Sequence, residues 1–207
     1  MREKTGDGLG TERERIMATF PYQSHITVEE YLELDRKSLD VHYEYIDGHI
    51  TMMSGGTIDH VAIRDNVYTI LRNLLRDRSC RPYTADARVR LSATCYVYPD
   101  VVVTCDDRDR GQVDMIQSPS LVVEVLSPST EAYDRGGKFL RYRECSTIQE
   151  YVLVSSGYPL VEVFRRERNN LWVLSTFKLN DDVQLTSLAI KFPVKDVYED
   201  IVFPEEV

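Results

Sequence analysis

Ser120-Leu121-Val122-Val123-Glu124-Val125-Leu126-Ser127 is an aliphatic run, rich in β-branched residues, with one carboxylate near its centre. Such a run, bounded by Ser and Pro, predicts a strand buried on both faces. A carboxylate inside it is an anomaly. Desolvating an unpaired charge costs several kcal/mol or shifts its pKa, so a buried Glu is expected to be paired or to hold a metal. The pattern recurs upstream in Tyr98-Pro99-Asp100-Val101-Val102-Val103-Thr104, where Asp100 opens a second apolar strand. Downstream, Asp134-Arg135-Gly136-Gly137-Lys138 opens a helix and supplies an amine.

Around these segments the chain reads as alternating short elements. Thr27-Val28-Glu29-Glu30 is a capping box that starts a helix running to about Lys37. His42–Ile46 and His49–Met53 flank Asp47-Gly48, a hairpin turn whose two positions favour positive φ. From about Ile58 to Arg78, Val61, Ile63, Val67, Ile70, Leu71, Leu74 and Leu75 recur at helical spacing. Strands are expected around 83–91 and 96–104, a polar loop over 106–118, and a helix from about Ala132 or Asp134 to Glu144. Another strand falls at Glu150–Val154, and a hairpin joins Val161–Arg165 to Leu171–Phe177 through Asn169-Asn170. The segment after Asp181 is expected to add an edge strand. Residues 1–19, polar and mixed in charge, are expected to form a disordered tail, leaving 20–207 as a single domain. The fold class is α+β with α/β-like character, a central mixed sheet flanked by helices.

Composition narrows the function. A net charge of −9, from 34 acidic and 25 basic residues, excludes a protein that is basic overall, so any polyanion must be met by a local concentration of positive charge. Part of the acidity would be offset by a divalent cation. Cys80, Cys95, Cys105 and Cys145 form no C-x-x-C pair, which argues against structural zinc and for free thiols in a reducing cytoplasm. No apolar stretch is long enough to span a membrane.

The residue types suit phosphodiester hydrolysis. Mg²⁺ or Mn²⁺ needs hard oxygen ligands, usually one or two carboxylates, with water and substrate phosphate completing the shell. If the strands carrying Asp100 and Glu124 pair antiparallel, their carboxylates can share one ion. Lys138 stands one helical turn from Asp134 and one turn before Tyr142, and would orient water or stabilise phosphoryl charge. Arg135, Arg141 and Arg143 concentrate positive charge nearby; Arg135 and Arg141 are the expected phosphate contacts.

Five stretches together carry a resemblance: Thr27-Val28-Glu29-Glu30-Tyr31, Tyr43-Glu44-Tyr45-Ile46-Asp47-Gly48, Tyr98-Pro99-Asp100, Glu124-Val125-Leu126-Ser127-Pro128-Ser129-Thr130 and Tyr133-Asp134-Arg135-Gly136-Gly137-Lys138. The chain resembles the PD-(D/E)XK nuclease superfamily and, within it, a large bacterial family of mostly uncharacterised restriction-endonuclease-like proteins. That resemblance implies a restriction-endonuclease-like fold, with Asp100 and Glu124 as metal ligands, Val125 offering its carbonyl, and Glu44 and His60 bordering the cleft. Asp134 and Tyr142 are accessory positions beside Lys138. One departure stands out: the superfamily lysine lies two residues after the acidic strand residue, where this chain has Leu126. Lys138 would replace it from the following helix. The expected activity is a Mg²⁺- or Mn²⁺-dependent endonuclease acting on DNA, as a homodimer, RNA remaining open. The alternative is a non-catalytic nuclease-like module that binds nucleic acid or a protein.

Overall fold

Three sheets, of six, four and two strands, organise the described residues. The computed structural model describes residues 25–203 except Leu39, Ser54 and Val113, so the expected N-terminal tail lies outside the described residues. In chain order the elements are α1 (Val28–Lys37), β1 (Tyr43–Ile46), β2 (His49–Met52), α2 (Ile58–Leu74), β3 (Arg81–Thr84), β4 (Val89–Ser92), β5 (Cys95–Val97) and β6 (Val101–Thr104). There follow β7 (Pro119–Leu126), α3 (Glu131–Tyr133), a π-helical turn (Asp134–Lys138), α4 (Phe139–Glu144), β8 (Glu150–Ser155), β9 (Leu160–Arg166), β10 (Trp172–Lys178), β11 (Asp182–Leu185), β12 (Ile190–Pro193) and α5 (Val194–Val197).

A six-stranded mixed sheet, ordered β10-β9-β8-β7-β6-β3, is the centre of the fold. Its one parallel pair, β7 with β8, is joined through the α3–α4 helical segment. A four-stranded antiparallel sheet, ordered β2-β1-β5-β4, packs over one face. Each expected long strand is therefore two strands. The 83–91 segment breaks at Asp86 and the 96–104 segment breaks at Pro99, which lacks the N–H a ladder needs. The halves belong to different sheets. The segment after Asp181 likewise forms its own hairpin, β11 with β12, instead of an edge of the central sheet.

Local chemistry explains the elements that sequence located well. Thr27 and Glu30 exchange both capping-box bonds at α1. Asp47 and Gly48 adopt φ of 48° and 89°, the primed turn that matches strand twist. Asn169 and Asn170 turn the β9–β10 hairpin at φ of 63° and 58°. Helix α2 ends at Leu74, earlier than Arg78, because Leu75 leaves the helix to join the core and Arg78 reaches the Leu188 carbonyl.

Two apolar layers sandwich the central sheet. On one face Ile63, Val67 and Leu71 of α2 pack with Val101, Val123, Val152 and the β11–β12 hairpin. On the other, Val89, Cys95 and Val97 of the small sheet and Tyr142 pack with Val102, Val122, Leu126 and Leu153. A third cluster, Tyr31, Tyr45 and Tyr96, fastens α1 to the small sheet.

Cysteine usage is corrected. Cys80 and Cys105 form a disulfide, S–S 2.00 Å, beside the Arg81–Thr104 cross-strand pair. No local motif announced it, because strand register brings the two together across a separation of 25 residues. Cys95 and Cys145 remain free and buried, and burial pushes the Cys95 thiol up to about 12. The bond removes the thiol argument for a reducing compartment. Among the described residues, no helix is long and apolar enough to cross a membrane.

Candidate active site

The two anomalous carboxylates meet. Strands β6 and β7 pair antiparallel with Val101 opposite Val123, so continuing the register by one sets Asp100 opposite Glu124. Both project to the face covered by the small sheet. The Asp100 backbone N–H donates to Glu124 Oε2 (3.4 Å), and the Val125 N–H donates to Asp100 Oδ2 (2.8 Å). An extended residue aims its N–H and C=O at the same neighbour, so the Val125 carbonyl is directed to the Asp100 side as well.

The α3–α4 segment supplies the cation. Asp134, Lys138 and Tyr142 recur every four residues and face β7. Lys138 Nζ donates to Glu124 Oε1 (3.0 Å), and Tyr142 Oη donates to the same oxygen (2.7 Å). Lys138 Nζ also lies 3.3 Å from Glu44 Oε1 and 3.7 Å from Asp134 Oδ1. The Gly136-Gly137 pair, expected at a helix N-terminus, lies in the π-helical turn. A Cβ at Gly137 would fall 2.5 Å from the Tyr133 ring, so glycine lets that ring lie against the turn. Leu126, at the superfamily's lysine position, is a buried core residue. Lys138 brings its amine to Glu124 from the helix instead.

Glu44 enters from the small sheet. It is buried and accepts the Tyr98 N–H at 3.3 Å. His60 enters from the first turn of α2, its Nε2 standing 3.0 Å from Asp100 Oδ1, while its buried Nδ1 has no partner among the described residues. Gly56 makes room for it: a Cβ there would come 2.7 Å from the imidazole. Asp134 is buried beneath the cluster, and its backbone carbonyl accepts from Tyr151 Oη at 3.1 Å.

Three buried carboxylates, on Glu44, Glu124 and Asp134, thus share one ammonium, and Asp100, paired with His60, lies against Glu124. Burial above all pushes Glu124 up to about 8; Lys138 opposes this, and Asp100, Asp134 and Glu44 add to it. Asp134 is raised by burial too, again opposed by Lys138. For Lys138, burial opposes the charge, but the attraction of Glu124, Glu44 and Asp134 outweighs it and holds the ammonium protonated. Burial likewise holds the Tyr142 phenol protonated, as a donor to Glu124.

Two expected phosphate contacts stand apart. Arg135 is held by Glu131 (2.8 Å) and Glu162 (2.5 Å), and Arg141 by Asp47 (2.6 Å) and Glu144 (3.7 Å). Both guanidinium groups are already neutralised. Sequence reasoning also missed a supporting cluster. Asp35 of α1 accepts from Arg88 Nη1 (2.7 Å), from the Tyr43 N–H (3.2 Å) and from the Tyr98 hydroxyl in a very short contact. The His42 ring stacks on Tyr98 at 4.5 Å. This buried group clamps the Tyr98-Pro99-Asp100 turn from behind. Its one sequence signal was the Tyr98-Pro99 pair itself, since Asp35 and Arg88 lie 53 residues apart.

The fold and this cluster define the restriction-endonuclease-like class, the PD-(D/E)XK superfamily. Within it, the Uma2 family model, described as "Putative restriction endonuclease", matches residues 28–194, and the chain belongs to that family. It is 38% identical over 187 residues to the uncharacterized protein slr1290 of Synechocystis sp., covering 90% of this chain and 96% of that one. A second uncharacterized Synechocystis protein, sll1609, is 29% identical over 154 residues, 72% of this chain and 86% of that one. A crystal structure from Anabaena variabilis, described as "a putative nuclease belonging to DUF820", matches with a TM-score of 0.71 at 20% identity. That match covers 84% of this chain and 98% of the other, and supports the fold alone.

Proposed function

We propose that the protein is a divalent-metal-dependent endonuclease that hydrolyses phosphodiester bonds of DNA. The observation that carries this reading is the pairing of Asp100 with Glu124 across adjacent strands, with Lys138 hydrogen-bonded to Glu124.

The donor set fits Mg²⁺ or Mn²⁺. Two carboxylates and the Val125 carbonyl offer hard oxygens in the small number that Mg²⁺ takes from protein. Three buried acids around one amine, with Asp100 beside them, leave negative charge that such an ion would offset. Among the described residues no three His, Cys, Asp or Glu side chains stand together as a metal cage. Bound there, the ion would activate water and neutralise phosphoryl charge.

The chain's own groups do the remaining work. Lys138 holds Glu124 in place and carries a permanent positive charge at the position where phosphate would enter. Tyr142 fixes the Glu124 rotamer by donating to the oxygen that Lys138 also touches. His60 holds Asp100 from the opposite side, and Glu44 restrains the Lys138 amine from the small sheet. Nicking of supercoiled plasmid in the presence of Mn²⁺ or Mg²⁺ tests the proposal, and Asp100→Ala or Glu124→Ala should abolish it. Undiminished nicking by both variants would reject the assignment.

One observation favours the non-catalytic alternative. Lys138 already pairs with Glu124, Glu44 and Asp134, so the cluster holds together as an ion-pair network. A module of that kind would show no stoichiometric Mn²⁺ binding by calorimetry, whereas the nuclease should show it.

A further inference from the structure

A surface cleft of about 450 Å³ opens at the free edge of the central sheet, lined by Tyr68, Arg72, Arg81, Pro82, Tyr83 and Thr84. It is built from β3, the terminal strand, and from α2 packed beside it. Its place in the fold ties it to the carboxylate cluster twice. Thr84 pairs with Val101, the residue after Asp100. On α2, His60, Arg64, Tyr68 and Arg72 follow one another at four-residue spacing, forming an inclined ridge that starts at the Asp100 contact and ends in the cleft. At 1.5 Å per residue that ridge is about 18 Å long.

The charged side chains of this cleft are basic. Among the described residues, Arg72 and Arg81 have no carboxylate within 4.0 Å, while Arg135 and Arg141 are both neutralised. The cleft thus sets two unpaired guanidinium groups beside two tyrosine rings at one sheet edge. Neither ring is spent wholly on the core. Tyr68 and Tyr83 are each half-buried, packed against opposite apolar layers, so the cleft curves around the β3 edge.

Resting on the nuclease reading above, we propose that this cleft is a track for a single strand of DNA flanking the scissile phosphate. Arg72 and Arg81 would meet backbone phosphates, and Tyr68 and Tyr83 would offer faces for unpaired bases. The chemistry favours one strand over a duplex. Duplex binding relies on a broad basic face that neutralises many phosphates, whereas this cleft offers two guanidinium groups. A duplex also keeps its bases stacked inside, leaving the tyrosine rings nothing to stack on.

Fluorescence anisotropy with labelled oligothymidylate, in EDTA so that no cutting occurs, tests the track. Arg72→Glu combined with Arg81→Glu should weaken binding roughly tenfold or more and reduce the salt slope by about 1.4, the value for two single-strand phosphates. Tyr68→Leu, which keeps an apolar contact, should weaken it at least about fivefold through lost stacking. Lys178→Glu, on the opposite sheet edge, should do little. The track is overturned if the double variant binds like wild type, if Lys178→Glu weakens binding equally, or if the loss appears only with a duplex of the same length. The two readings fail separately. Wild-type-like cleavage by the double variant sinks the track and leaves the nuclease. Oligothymidylate binding that depends on the arginines, without any Mn²⁺-dependent cleavage, supports the track and sinks the nuclease.

Discussion

Glu124 and Glu150 are both buried, at 3% and 0% exposure, on the adjacent parallel strands β7 and β8. They occupy opposite faces of the sheet, because Glu150 stands beside Leu121 while Glu124 stands beside Leu153. Glu150 is satisfied. Its oxygens accept from Arg165 Nε (3.0 Å), the Thr186 N–H (3.0 Å), the Ser187 N–H (3.2 Å) and both of those residues' hydroxyls. It pins the β11–β12 hairpin to the central sheet. Glu124 instead shares its single ammonium with Glu44 and Asp134, and has Asp100 against its other side. Burial alone therefore does not mark a functional carboxylate. What marks it is an excess of like charge that the fold leaves uncompensated.

That contrast predicts opposite phenotypes for the same substitution. Glu124→Gln keeps the shape and still accepts from Tyr142 and Lys138, so the protein should unfold within a few degrees of wild type. Mn²⁺-dependent cleavage should fall by more than about 10³-fold. Glu150→Gln should do the reverse. It leaves Arg165 unpaired and turns an amide against backbone donors, a loss of about 3–5 kcal/mol, or roughly 10 °C in Tm for a chain of this size. Cleavage per folded molecule, assayed well below that Tm, should be unchanged. The comparison fails if the two variants lose activity and stability in parallel.

The same pair shows what the sequence made legible. Glu124 stood out because it interrupts an apolar run, and Asp100 because it opens one. Their antiparallel pairing stayed a condition in the sequence, because a polar loop of more than a dozen residues separates the two strands. Lys138, Asp134 and Tyr142 were found by helical spacing on one segment. Glu150, at the start of its run, looked like an ordinary strand boundary. Its burial depends on a hairpin docking from residues 182–193, and no local pattern encodes that. The Asp35–Arg88–Tyr98 clamp and the Cys80–Cys105 bond were hidden for the same reason: each is a product of tertiary register. The second sheet was missed because Pro99 and the Asp86 turn divide runs that composition joins.

Smaller effects probe the charge imbalance directly. Burial, augmented by Asp100, Asp134 and Glu44 and opposed by Lys138, pushes Glu124 up to about 8 from an ordinary 4.5. Between those values the folded chain retains a proton that the unfolded chain has released. The stability of the metal-free protein should therefore fall as pH rises from about 4.5 to 8. Lys138 is charged in both states over that window and does not alter the sign. Thermal unfolding in EDTA across this range should show the decline, and Glu124→Gln should flatten it. Mg²⁺ added at pH 8 should recover stability in wild type and less in the variant, since only a ligand of the native state stabilises by binding. A flat profile in wild type would mean that the cluster is balanced as it stands.

The finest distinction lies in removing one donor from each glutamate. Ser187→Ala deletes a hydroxyl that Glu150 shares with four other donor groups, and should cost about 1 kcal/mol, or 2–4 °C in Tm, with no effect on cleavage. Tyr142→Phe deletes one of two donors on Glu124 Oε1 and leaves the ring packed 4.9 Å from Tyr151. Its stability should move by a similar amount, yet its cleavage should drop severalfold, because the remaining donor, Lys138, is pulled toward Glu44 and Asp134 and holds Glu124 less firmly. Equal stability losses with unequal activity would locate the difference between the glutamates in the reaction each side chain faces, and not in how tightly each is bound into the fold.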